Sequence, residues 1–119
     1  HTIVGFTMAE KLTGYAFGWN SDGLLYSSNY VYDTKLELGN VSRYIMVRDV
    51  MNAKTLEEAV YRLARMRVAS AFSLNLYDRN EDRAVNVEKD TAAHKHSIAH
   101  LFILQNTAFA RHSNQSRQK

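Results

Sequence analysis

The 119-residue chain contains no cysteine and no proline, only five glycines, and no apolar run near the roughly 18 residues that a membrane-spanning helix requires. Each absence excludes something. Without cysteine there is no disulfide framework, no thiolate metal site and no thiol nucleophile within these residues. The first 15 residues show neither the basic start nor the apolar stretch of a secretory signal, so the default compartment is the cytoplasm and no membrane partner is expected. Acidic residues are missing from the last 29 positions, which hold Lys95, Arg111, Arg117 and Lys119 and four of the five histidines. These positives are sparse and carry no interleaved aromatics, so nucleic acid is not an expected partner.

What is present is the balance of a globular domain, with 45% apolar and 23% charged residues. Charge divides unevenly: residues 1–60 carry five basic and seven acidic side chains, residues 61–119 ten and five. Thr2 to Thr7 reads as a short strand. Tyr15, Phe17 and Trp19 then alternate with small residues, giving a strand with one heavy face. Asn20-Ser21-Asp22-Gly23 supplies a hairpin turn, and Leu24 to Val31 is the returning strand. After a loop over 32–40, apolar residues Val41, Tyr44, Ile45, Val47, Val50 and Met51 predict a helix over about Ser42 to Asn52. Thr55 and Glu58 form a capping box at the head of a second helix, with the stripe Leu56, Ala59, Val60, Leu63 and a Glu58–Arg62 pair outside. Phe72 to Tyr77 and Ala84 to Glu88 read as strands around a polar turn. Lys89 to Ser97 reads as a loop, and Ile98 to Leu104 as a further strand or a short buried helix. Strands and helices are grouped, not alternated, which predicts an α+β fold with antiparallel sheet and packed helices. Residues 1–110 form a single domain on this reading, and 111–119 a frayed basic tail.

Candidate chemistry is thin. His94, His96 and His100 would share one side of a strand, but no carboxylate or thiol lies close in sequence, so surface histidines are favoured and no metal is expected. There is no nucleophile elbow, dinucleotide fingerprint or phosphate loop, and no cofactor is expected. Asn29 lies mid-strand beside Ser27 and Ser28. It suits either a water-facing strand position or an amide aimed at a developing oxyanion. Asn75 and Asn86 read as solvent-face or ladder asparagines. Asn40-Val41-Ser42 and Asn114-Gln115-Ser116 match the glycosylation triplet without other support.

The stretch Gly14-Tyr15-Ala16-Phe17-Gly18-Trp19-Asn20 through Gly23-Leu24 to Ser27 and Asn29 resembles the isopenicillin-N acyltransferase-like family, which includes N-β-alanyl-amine hydrolases. The resemblance continues through Gly39 to Arg48, the Ala53-Lys54-Thr55-Leu56-Glu57-Glu58-Ala59 helix start, the pair at Ala71 to Leu76 and Asn86-Val87-Glu88, and a late Ser116-Arg117. It implies an αββα N-terminal nucleophile hydrolase in which a freed terminal cysteine attacks a linear amide and its own α-amino group is the base. It also implies that Asn29 falls at the oxyanion position, with Tyr15, Phe17 and Arg117 as substrate-binding residues. No cofactor is implied. The substrate class is a small N-acyl amine.

Departures accompany the match. The chain has no cysteine, His1 lacks a nucleophilic hydroxyl or thiol, Ser42 stands where the family has proline, and His100 replaces an asparagine. The resulting expectation is a partial acyltransferase-like domain whose cysteine segment lies upstream, partnered by a complementary chain or by its own copies. The alternative is a non-catalytic binding or interaction domain that kept the scaffold.

Overall fold

A computed structural model describes residues 1–32 and 35–91, together with the backbone of 100–105. Six strands form one antiparallel sheet in chain order: β1 (Ile3–Gly5), β2 (Phe17–Asn20), β3 (Leu24–Tyr30), β4 (Phe72–Asp78), β5 (Arg83–Lys89) and β6 (His100–Gln105). Two helices, α1 (Arg43–Val50) and α2 (Leu56–Arg65), are inserted between β3 and β4. The α+β class with antiparallel sheet and packed helices is therefore present, and the segment near residue 100 is strand, not helix. The predicted loop at 89–97 and tail at 111–119 lie largely or wholly outside the described residues.

The β2–β3 hairpin forms where the turn chemistry places it. Gly23 adopts φ +102°, a conformation that side chains rarely tolerate, and its N–H bonds the Asn20 carbonyl at 3.2 Å. Gly18 has a different reason to lack a side chain. A Cβ there would sit 2.5 Å from the Val4 carbonyl oxygen and 2.8 Å from the Tyr26 ring, so glycine lets β1 and Tyr26 close over β2.

One face of the sheet is the core. Leu24 and Tyr26 of β3, Phe72, Leu74 and Leu76 of β4, and Val85 and Val87 of β5 are buried with Met46, Val47 and Val50 of α1 and Leu56, Ala59 and Leu63 of α2. The α2 stripe is the one its spacing predicts, with Val60 partly buried beside it. In α1 the inward face is rotated: Met46 is buried, whereas Ile45 is 56% exposed. In β2 the heavy residues are not inward either. Phe17 and Trp19 stand 48% and 46% exposed, and Gly18 and Asn20 face the helices. Narrow residues are needed on that side because Tyr26 already fills it.

Thr55 Oγ1 accepts from the Glu58 N–H at 3.2 Å, but Glu58 Oε2 accepts from the Lys54 N–H at 3.0 Å and not from that of Thr55. Arg62 donates to Glu58 and, at 2.8 Å, to Asp49, tying α2 to α1.

Candidate functional site

The second face of the sheet is not covered by either helix, and its side chains fall into rows set by the register. Val4, Trp19, Leu25, Tyr77 and Ala84 are successive partners across β1 to β5 and make an apolar band. The next row is Phe17, Ser27, Asn75 and Asn86. Beyond it come Asn29, Ser73 and Glu88, with His100 as the register partner of Glu88. A shallow depression of about 280 Å³ opens between the first two rows, bounded by Leu25, Ser27, Asn75, Tyr77 and Ala84 among others.

Hydrogen bonding separates the three asparagines of this face. Asn75 Nδ2 donates to Ser27 Oγ at 3.1 Å. Asn86 Nδ2 donates to Asn75 Oδ1 at 2.7 Å and to Ser73 Oγ at 2.9 Å. Asn75 and Asn86 are thus rungs of a cross-strand ladder, and both Asn86 donors are directed within the sheet. Asn29, next to Ser73 at the end of the ladder, is exposed, and its side chain makes no hydrogen bond to the described residues. Its amide can therefore donate to a group arriving from outside without breaking a bond already made.

The residues expected to contact substrate are not gathered in one place. Phe17 lies on the open face, stacked on Phe6 with ring centroids 5.2 Å apart. Tyr15 instead packs against Tyr44 of α1 at 5.3 Å, beside the Arg43 guanidinium. Arg117, His94 and His96 lie outside the described residues, and only the backbone of His100 is described. Among the described residues no group of three His, Asp or Glu side chains is arranged to hold a metal ion. His1 places its ring between the Asp22 carboxylate and the Met51 carbonyl, closing the hairpin turn onto the end of α1.

Three tyrosines have altered acidity: the bond that Tyr77 donates to the Asp82 carboxylate holds its phenol above the ordinary value, and Tyr26 and Tyr44 are shifted in opposite directions. Burial pushes the Tyr26 phenol up to about 12, against a smaller opposing pull from the Arg48 charge, while its hydroxyl donates to the Gly14 carbonyl at 2.7 Å. Tyr44 is shifted the other way: the hydrogen bond from Arg43 leads the causes that hold its phenol below the ordinary value, and the Lys11 charge adds to them. The Arg43 cluster had one signal in the sequence, the tyrosine content around it, but periodicity treats Tyr15, Tyr30 and Tyr44 as members of three unrelated elements.

A search of curated proteins returns no match to the chain. The family model for acyl-coenzyme A:6-aminopenicillanic acid acyl-transferase matches residues 1–119, and the chain belongs to that family.

Proposed function

We propose that this chain is scaffold and oxyanion wall for acyl transfer from, or hydrolysis of, a linear N-acyl amine. In this reading the open face is the inner face of an αββα sandwich, and the amide lies against it near Asn29. A terminal cysteine supplied by another segment attacks the carbonyl carbon and passes its thiol proton to its own α-amino group. The oxygen then carries negative charge, which the Asn29 N–H₂ stabilises. The C–N bond breaks, the amine leaves with a proton, and water or a second amine removes the acyl group from sulfur. The observation that carries this reading is that Asn29 alone among the three asparagines of the open face has an uncommitted amide.

The 119 residues hold no thiol, and by themselves they should turn over no N-β-alanyl amine. Combined with a family segment that begins with cysteine, they should gain activity. Asn29→Ala should then lower kcat by 10²–10³, about 2.7–4 kcal/mol of transition-state stabilisation, with the melting temperature unchanged. Turnover by the 119 residues alone, or an unaltered kcat in Asn29→Ala, overturns the reading. The missing thiol also suits a second reading, a binding domain that kept the groove. In that case an N-acyl amine at about 100 times its Kd should add roughly 2.7 kcal/mol of stability with no turnover under any combination.

A further inference from the structure

Arg43 opens α1, and its guanidinium lies among three tyrosine rings. The Cζ atom is 5.0 Å from the ring centroid of Tyr44, 5.2 Å from that of Tyr30 and 5.6 Å from that of Tyr15. These rings come from three segments: α1, the end of β3, and the loop before β2. Aromatic rings attract and hold a guanidinium through its flat faces, which leaves the N–H donors around its edge for a partner in its own plane. One edge donor is used, in a long 3.4 Å bond from Nη2 to the Tyr44 hydroxyl. Among the described residues no carboxylate comes within ion-pair distance of Arg43. Arg62 and Arg83, by contrast, each meet two. Besides Arg43, the charge acting on Tyr44 is that of Lys11, of the same sign.

A half-buried guanidinium set among three aromatic rings, with one donor used and no counter-ion among the described residues, is built for an external anion. We propose that Arg43, framed by Tyr15, Tyr30 and Tyr44, is a recognition site for the carboxylate of a small ligand. The fork itself suits carboxylate and phosphate alike. The three rings around it favour a carboxylate borne on an apolar body over inorganic phosphate, which has no apolar surface for them to cover. The tyrosine rings would then cover an apolar body attached to that carboxylate. The site goes beyond the acyl-transfer reading and is independent of it. Along β3, Tyr30 and Asn29 point to opposite faces, so Arg43 works on the helix side and Asn29 on the open side.

The test is a titration of the ¹⁵N-labelled full chain with sodium benzoate, and separately with sodium phosphate, at ionic strength held constant with chloride. The readout is the Arg43 Nε–H resonance. Benzoate should shift it saturably, and phosphate should not. Arg43→Lys, which keeps the charge but loses the fork, should weaken benzoate binding about ten-fold as followed by tyrosine absorbance, the size of one good charge-assisted bond. An Arg43 resonance that benzoate leaves unmoved overturns the proposal without reference to any variant. Tighter binding of phosphate than benzoate, or equal benzoate affinity in Arg43→Lys, overturns it as well, showing a general anion patch in place of a carboxylate site.

Discussion

Four hydrogen bonds converge on the Asn20 amide. Its Nδ2 donates to the carbonyls of Met51 and Ala53 at 3.0 and 2.8 Å, and its Oδ1 accepts from the N–H groups of Asp22 and Leu24, each at 3.1 Å. The side chain is 3% exposed, so nothing from solvent can replace these bonds. Asn20→Ala would leave buried donors and acceptors unpaired at the junction of the hairpin and the α1–α2 connection. The expected loss is about 3 kcal/mol, read as a lowered urea midpoint with unchanged m-value. A loss under about 1 kcal/mol would show that water enters the site. Tyr26 gives a pH-dependent prediction at the same scale. The unfolded phenol ionises near its ordinary value of 10 and the folded one near 12. Above pH 10 the unfolded chain therefore binds fewer protons than the native one, and stability falls as pH rises from 10 toward 12. Tyr26→Phe should flatten that decline in urea titrations across the window, while losing roughly 1 kcal/mol at neutral pH with the bond to Gly14.

Helix α2 and the β2–β3 hairpin were legible as elements because their signals are local. A cap, an i, i+3, i+4, i+7 stripe and an Asp-Gly turn act within a few residues, and the same residues appear in the structure as the Thr55 cap, the buried Leu56, Ala59 and Leu63, and Gly23 at positive φ. Thr55→Ala should cost about 1 kcal/mol, with the loss seen first as reduced helix signal in thermal melts monitored by circular dichroism. An unchanged melting temperature would mean that Glu58 on the Lys54 N–H holds the helix start without Thr55. Faces were less legible than elements. Helix α1 is only about two turns long, so Ile45 and Met46 fit the apolar pattern equally well, and packing against the sheet chose Met46. In β2 alternation located a strand, yet could not tell which of its two faces met the helices.

At the scale of the molecule, two helices cover one face of a six-stranded sheet, and among the described residues neither helix covers the opposite face. That face presents Val4, Phe17, Trp19 and Leu25, each at least 39% exposed, beside the polar ladder. Such a band is more apolar than a free surface usually tolerates. The isolated chain should therefore associate with rising concentration in sedimentation velocity, and Trp19→Glu should return it to monomer while keeping the fold. A wild-type chain that stays monomeric at all concentrations would show that the band needs no cover. The candidate site belongs to this scale too. The sequence marks Asn29 as an odd residue for a strand. That Asn75 and Asn86 are bonded across the sheet while Asn29 is not depends on which strands are neighbours and in what register.

By itself, then, the sequence determined the kinds of elements and their order, since backbone conformation answers to residues only a few positions away. It also carried the family resemblance, which lies in an ordered set of short motifs from Gly14 to Glu88. Only the tertiary structure decided that Asn20 is a buried clamp, that Phe17 and Trp19 look outward, and that Tyr15 leaves Phe17 to join Arg43. Each of these depends on groups far apart in the chain meeting across an interface, and burial and hydrogen-bond partners at such an interface have no local signature.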